Sequence, residues 1–130
     1  MRISLFLLFA GFLTALIHAN DRFITHVTLT TYNAVKSQCD ETPDVTANGT
    51  IIDYKKLKQG KLKYCAISPD LLWCIPMGSV IDIDGYGRYI VVDTMNARFN
   101  HYIDILQHHT EKNFKKEKIK IILVKKSKKK

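Results

Sequence analysis

The 130-residue sequence predicts a small all-β protein that closes into a barrel. Its length is that of one domain. About six short segments rich in β-branched and aromatic residues follow one another, with turn-forming residues between them and one modest helical segment. Because closing a sheet leaves no exposed strand edge, a barrel accommodates such short strands well. Side chains fill the interior of a small barrel, so we expect function to lie on its loops or at its rim.

The predicted strands are assigned from runs of Val, Ile, Thr and Tyr. In the first of them, Val27 and Leu29 alternate with threonines, as expected for a strand with one buried face. In order along the chain, the predicted strands are Ile24–Tyr32, Tyr64–Ser68, Ser79–Ile83, Tyr89–Val92, His101–Leu106 and Ile119–Val124.

Turn and helix signals separate these strands. Asn48-Gly49, within VTANGTIID, is the strongest hairpin or tight-turn signal in the chain. Pro69 favours the first position of one helical turn in PDLLWCI. The basic segment YKKLKQGKLK predicts an exposed connection, and the mixed polar stretch Leu106–Lys118 predicts a short helix.

The first nineteen residues have the layout of a secretory signal peptide. Arg2 is followed by an apolar run from Ile3 to Ile17 and by a small residue, Ala19. An uncleaved membrane anchor is the alternative, although a span needs about 20 apolar residues. We expect an exported protein with a signal peptide at 1–19, a barrel domain at 20–124 and a basic tail at 125–130.

Export permits disulfides, and the chain beyond the signal peptide contains Cys39, Cys65 and Cys74. Three cysteines allow three single pairings and leave one thiol over, and the sequence does not choose among them. Their spacing lacks the C-x-x-C or clustered histidines of a zinc site. We expect one disulfide and one buried thiol, and no metal or other cofactor.

The net charge of +8 comes from the C-terminal part of the chain. Residues 21–107 contain nine Lys or Arg and ten Asp or Glu, whereas residues 108–130 contain ten Lys and two Glu. A tail ending in KKSKKK can bind anionic envelope polymers or anionic lipid non-specifically, or can simply be solvated. No aromatic residues alternate with the terminal lysines, so we predict no specific binding of nucleic acid.

The segment VVDTMNARFNHYIDIL, from Val91 to Leu106, gathers most of the polar residues with evident chemistry. Asp93 and Asp104 each lie in an apolar strand-like run, with a polar loop between them. Two carboxylates can act together in acid and base catalysis, but aspartates at strand ends are also common turn formers. From these residues alone both interpretations stay open.

Several motifs together resemble the three-aspartate (3D) domain. That family includes the catalytic domain of membrane-bound lytic transglycosylase A and is related to RlpA-like double-psi β-barrel proteins. The motifs, in chain order, are VTANGTIID, AISPDLLWCIPMGSVIDIDGYGRYIVVDTM and IDIL. The resemblance extends from about Val27 to Leu106 and then to the last strand. It implies a bacterial or phage source and a six-stranded double-psi barrel with one or two short helices and a glycan groove at one end.

The resemblance also implies three aspartates on adjacent loops of that groove, and Asp93 and Asp104 match the second and third. The first is expected in an A-(V/I)-D-P segment. This chain has AISP there, so Ser68 stands in its place and Asp70 lies two residues further on. Asp104 is predicted to be the general acid and base and Asp93 its supporting carboxylate, with the reverse assignment left open. The pKa of such an acid must be raised by burial or by a neighbouring carboxylate.

The function implied by the resemblance is cleavage of peptidoglycan glycan strands by an exported lytic transglycosylase, which releases a 1,6-anhydro product. A non-catalytic glycan-binding or structural barrel at the cell envelope is the alternative, and a secreted scaffold that adheres through its lysine tail is a third. For most of the further candidates a purely structural role in a turn, the core or a solvated loop is an alternative. The candidate substrate-binding residues are Ser68, Asp70, Thr46, Asn48, Tyr86 and Arg98.

Overall fold

The structure is a computed structural model that describes residues 22–34 and 45–127. Its strands close into a barrel in the order β1-β5-β2-β4-β3-β6. The predicted all-β class and the closed six-stranded barrel are therefore confirmed. The strands are β1 (Ile24–Ala34), β2 (Tyr64–Ile67), β3 (Val80–Ile83), β4 (Gly87–Thr94), β5 (Tyr102–His108) and β6 (Lys115–Lys125), and the helical elements are α1 (Tyr54–Lys58) and a 3₁₀ turn (Pro69–Leu71).

Two of the six strand pairings are parallel. β1 runs parallel to β5, and β2 runs parallel to β4, whereas β5 and β2 are antiparallel neighbours. Each parallel pair joins strands that are separated in sequence, so the barrel is not a simple succession of hairpins. This order brings β1, β5, β2 and β4 side by side, and the candidate carboxylates lie on β5 and near the end of β4.

The barrel interior is filled by the alternate residues of every strand. Successive side chains of a strand point to opposite faces, so one set from each strand faces inward. These inward residues are mostly β-branched and have almost no exposed surface; they include Val27, Leu29, Cys65, Ile67, Ile81, Ile83, Val91, Ile103, Ile105 and Ile121.

A second, smaller apolar cluster lies on the outside of the barrel. It is centred on Ile52, Leu57 and Leu106. Leu57 belongs to α1, a segment whose basic sequence predicts an exposed connection. The helix forms because the Asp53 side chain caps it, with one carboxylate oxygen accepting from the backbone N–H groups of the second and third residues that follow (3.0 and 3.1 Å).

The predicted helix at Leu106–Lys118 is wrong. β5 continues to His108, and β6 already begins at Lys115. The Gln107 side-chain amide donates to the backbone carbonyl of Glu111 and to the side chain of Asn113 (3.2 and 2.8 Å), which fixes the connection as a turn. Pairing with β1 then holds the charged residues at the start of β6 in an extended conformation.

Several sequence predictions lie outside the described residues, namely the signal peptide at 1–19, the thiol of Cys39 and the last three lysines. Cys65 and Cys74 are buried and are free thiols. The barrel extends past the predicted boundary at residue 124, because β6 ends at Lys125 and the Ser127 N–H donates to the Ser79 hydroxyl (3.0 Å). In the part of the chain that the structure describes, no helix has the length and apolar character of a membrane span.

Replacing the inward residue Ile103 with alanine should destabilise the barrel by about 2–5 kcal/mol, because it leaves a cavity in a close-packed core. Ile103 has no exposed surface, whereas Ile51 is 69% exposed, so Ile51→Ala is the matched control and should change the free energy of unfolding by less than about 0.5 kcal/mol. Urea denaturation followed by circular dichroism measures both values. Equal effects of the two substitutions would contradict the assigned core.

Candidate functional site

Asp104 and Asp93 lie in one row that crosses the outer face of the barrel. Thr30 pairs with Asp104, Asp104 pairs with Ala66, and Ala66 pairs with Asp93. On its other side Thr30 pairs with Lys115. Neighbouring strands lie about 4.8 Å apart, so the Cα atoms of the two aspartates are roughly 10 Å apart. Only the methyl group of Ala66, which is itself buried, lies between them in the row.

The position of Asp104 follows from the alternation of side chains along β5. Its neighbours Ile103 and Ile105 both face the core. Asp104 must therefore face outward, on the same side of the sheet as Thr30.

The position of Asp93 depends on a β-bulge. Tyr89 and Val91 face the core, so strict alternation along β4 would also turn Asp93 inward. The pairing of β4 with β2 shifts register at this point, because Cys65 pairs with Val91 but Ala66 pairs with Asp93. The extra residue, Val92, is accommodated by the bulge, and Asp93 therefore faces outward beside Ala66. Bulges are frequent next to functional sites for this reason.

Asp104 is half-buried, and its surroundings favour the protonated form of the carboxyl group. Burial raises the pKa of Asp104 above its ordinary value, and the negative charge of Asp93 raises it further. The Thr30 hydroxyl donates to Asp104 Oδ1 (2.8 Å), and this hydrogen bond opposes the rise. The direction is the one that a general acid requires.

Asp93 is held by main-chain donors. Its Oδ1 accepts from the backbone N–H groups of Ala47 (3.1 Å) and Thr94 (2.9 Å), an arrangement that suits a carboxylate oxygen. Ala47 belongs to the predicted TANG turn, so that turn holds one of the two acids. The Asn48 N–H also donates to the carbonyl of Val92 (3.2 Å), which attaches the turn to the bulge.

The predicted substrate-binding residues Thr46 and Asn48 form a hydrogen-bonded network within this turn. Asn48 Oδ1 accepts from the hydroxyl of Thr46 (2.8 Å) and from the hydroxyl and N–H of Thr50 (2.6 and 3.1 Å). Thr46 is buried, and Asn48 is exposed. The hydrogen bonds of both side chains shape the turn that positions Asp93.

Ser68 occupies the position where the family resemblance expects an aspartate, and it has no exposed surface. Its hydroxyl accepts from the backbone N–H of Tyr102 (3.0 Å), and its own N–H donates to the carbonyl of that residue (3.0 Å). A glycan at the surface would not reach this side chain. In this structure Ser68 joins the end of β2 to the start of β5.

Asp70 is engaged by the loop that precedes β5. Its carboxylate accepts from the backbone N–H of His101 (3.0 Å to the nearer oxygen), and the His101 ring lies 2.9 Å from it. His101 adopts a positive φ of 56°, which is uncommon for a residue other than glycine, and this contact stabilises it. Asp70 therefore fixes the loop between the two acid-bearing strands and does not lie in the row of carboxylates.

The structure places Arg98 and Tyr86 at opposite ends of the barrel. Arg98 is exposed on the loop that joins β4 to β5, with its guanidinium over the ring of Phe99 (4.8 Å), so it lies at the same end as Asp93. Tyr86 is in the hairpin between β3 and β4, stacks on Phe114 (5.5 Å between centroids) and lines a cleft of about 330 Å³ there. Tyr86 is not brought together with the two aspartates.

Four residues near the aspartates were not predicted from the sequence. Thr30 and Tyr32 are outward-facing residues of β1, and Tyr102 and Lys115 flank the row from β5 and β6. The ring of Tyr102 packs against Phe99 (5.0 Å), and Lys115 Nζ lies 5.9 Å from its centre. The sequence does indicate that Thr30 and Tyr32 share a face, because residues two apart in a strand point the same way. The sequence does not show that β1 pairs with β5, and this pairing is what brings Thr30 and Tyr32 to Asp104.

Within residues 22–34 and 45–127, no group of three or more His, Cys, Asp or Glu side chains is arranged to hold a metal ion. In comparisons with known proteins, no family model matches the chain and no curated protein matches it.

The raised pKa of Asp104 predicts a specific pH dependence of stability. A carboxyl group with a higher pKa in the folded state binds its proton more tightly there, so stability is lost as pH rises from the unfolded value of about 4 through the folded value. The unfolding free energy of Asp104→Asn minus that of wild type should therefore increase as pH rises over this interval. Above the interval this difference should stay constant.

Thermal unfolding from pH 3.5 to 7.5 measures this difference. Asp84→Asn, at an exposed position in the hairpin at the other end of the barrel, corrects for the loss of one negative charge. A difference between Asp104→Asn and wild type that does not change with pH would contradict the electrostatic environment assigned to Asp104.

Replacing Ser68 with alanine should destabilise the protein by about 1–3 kcal/mol, because the part-buried N–H of Tyr102 loses its side-chain acceptor. Ser79→Ala is a control at an equally buried serine, whose hydroxyl accepts from the backbone N–H of Ser127. Denaturant unfolding gives both free energies. An unchanged unfolding free energy of Ser68→Ala would contradict the role assigned to this hydrogen bond.

Proposed function

We propose that this protein cleaves the glycan strands of peptidoglycan as a lytic transglycosylase. The single observation that carries the proposal is the row in which Asp104, with its raised pKa, and Asp93 lie on either side of the small residue Ala66. The resemblance of the sequence motifs to the three-aspartate domain gives the reaction class. The proposed location is the bacterial cell envelope after export.

In the proposed reaction, Asp104 first acts as the general acid. Its proton moves to the glycosidic oxygen as the bond between that oxygen and the anomeric carbon breaks, and the leaving sugar departs as an alcohol. The 6-hydroxyl of the remaining sugar then attacks the anomeric carbon and gives its proton back to Asp104. A 1,6-anhydro product forms, no water is consumed, and Asp104 returns to its protonated state.

Asp93 has the supporting role in this proposal. Its carboxylate raises the pKa of Asp104 and would stabilise the positive charge that develops on the sugar ring in the transition state. Main-chain hydrogen bonds hold Asp93 in place, so little reorganisation would be needed during the reaction. The geometry therefore favours Asp104 over Asp93 as the acid.

Side chains around the row are suited to an acidic carbohydrate. The half-buried rings of Tyr102 and Phe99 form an aromatic surface at the Asp93 end of the barrel. Lys115 and Arg98, beside these rings, offer positive charge to carboxylates of the substrate. The lysines at the end of β6 and beyond are proposed to add non-specific affinity for anionic envelope polymers or lipid.

A second candidate function is glycan binding without catalysis. It is favoured by the position of Ser68, which replaces the first expected aspartate and is completely buried, and by the engagement of Asp70 with His101. In that case the row would bind glycan with two carboxylates and two aromatic rings, and the protein would be an envelope-binding barrel.

Digestion of purified peptidoglycan separates the two functions. Wild-type protein should release 1,6-anhydro-muramyl products detectable by mass spectrometry, and Asp104→Asn should lose about 10²- to 10⁴-fold in rate while it still binds peptidoglycan. Asp93→Asn should be impaired as well, and Asp84→Asn, at the other end of the barrel, should retain wild-type activity.

Binding of peptidoglycan by wild type with no product released would sink the enzymatic proposal and favour the second candidate. Unchanged turnover in Asp104→Asn, or a loss confined to Asp93→Asn, would refute the assignment of the acid.

A further inference from the structure

Tyr32 lies beside the acid pair on the outer face of the barrel. It follows Thr30 by two residues on β1, so both side chains face the same way. Tyr32 pairs with Leu106, which likewise follows Asp104 by two residues on β5. A tyrosine can span the diagonal between such positions on neighbouring strands. Its ring packs against the outer apolar cluster that includes Leu57 and Leu106.

The hydroxyl group of Tyr32 is buried and has no hydrogen-bond partner among the residues that the structure describes. Burial and the negative charges of Asp93 and Asp104 raise the pKa of Tyr32, so the group stays protonated and remains a donor. A buried hydroxyl without a partner costs free energy, and proteins commonly satisfy such groups with an enclosed water that bonds two or more polar partners.

The charged and titratable groups around this hydroxyl come from several strands. Asp93 from β4 and Asp104 from β5 are the carboxylates, and the Cys65 thiol lies behind them on the core side of β2, where burial raises its pKa and keeps it neutral. Lys115 of β6 stands across Thr30 at the outer edge of the row. Among these groups, the two carboxylates are the candidate hydrogen-bond acceptors for the Tyr32 hydroxyl.

We propose that Tyr32 is a positioning residue of the acid pair, whose hydroxyl donates to a bridging water that in turn donates its two hydrogens to Asp104 and Asp93. This inference rests on the proposed function for its catalytic meaning, but the hydrogen-bonded arrangement itself does not. The bridge stabilises the state in which both carboxylates are negatively charged. In the proposed reaction that state exists after Asp104 has given its proton to the leaving sugar.

The titration of the carboxyl pair tests the arrangement without any substrate. In Tyr32→Phe the upper apparent pKa of the pair, followed by carbon-13 NMR of the aspartate carboxyl groups, should rise by roughly one unit, because the doubly charged state loses its donor. Tyr64→Phe is the matched control, since Tyr64 packs against the same outer cluster, and it should leave the titration unchanged.

If peptidoglycan is cleaved by wild type, Tyr32→Phe should lower kcat with little change in KM, and the alkaline limb of its pH profile should move upward with the pair. A purely structural tyrosine would not move that limb.

An unchanged titration of the pair in Tyr32→Phe would overturn the proposal, and so would a higher melting temperature of that variant, which is expected if the hydroxyl is simply unsatisfied. Should the variant fail to fold, the ring Cζ resonance of Tyr32 in wild type gives the answer. It should shift as the pair titrates, and a constant resonance would overturn the inference. Failure of wild type to digest peptidoglycan would reject the proposed function while leaving the NMR result intact.

Discussion

The candidate site depends on the two-residue period of side chains along closed β-strands. A barrel has one packed interior, so every residue of a strand is committed to the inside or the outside by its neighbours. Ile103 and Ile105 place Asp104 outside in this way. For Asp93 the same rule would give the wrong side, and burying that carboxylate in an apolar core would cost several kcal/mol. The bulge at Val92 resolves this conflict.

The rest of the structure near the acids follows from the bulge. Once β4 turns outward, two of its groups accept hydrogen bonds from the TANG turn. The Val92 carbonyl accepts from the Asn48 N–H, and the Asp93 carboxylate accepts from the Ala47 N–H. The chain that follows this turn forms α1 and covers the outer apolar cluster beside Tyr32. The ring of Tyr32 packs against this cluster, and burial is the main cause of the raised pKa of Tyr32. Burial is also the main cause of the raised pKa of Asp104. The interior of the barrel is the packed core, whereas the two candidate carboxylates lie on its outside.

The fold was largely predictable because its signals are local. Strand composition and the Asn48-Gly49 turn identified the strands and the class. The error at Leu106–Lys118 arose because pairing with β1 overrides the polar composition of the start of β6. The helix α1 was missed because a single residue, Leu57, is buried in it, so it has no apolar period to detect.

The candidate site was predictable only in part. The two aspartates stand out in the sequence, but Thr30, Tyr32 and Lys115 reach them through strand pairings across the barrel, between residues far apart in the chain. Conversely, the side chains of Thr46, Ser68 and Asp70 are polar and were candidates from the sequence, yet their hydrogen bonds are within the protein. Polarity identifies candidates, and only the register shows which of them face the same space.

The anchoring of Asp93 has a consequence for how freely the sequence around it can vary. Both donors to its carboxylate are main-chain N–H groups, at Ala47 and Thr94, which every residue type except proline supplies. Relatives of this protein could therefore differ at these two positions and still hold the acid in the same place. The identity of the residues beside a functional group is then a poor guide to whether the function has been retained, and the absence of proline there is a better one.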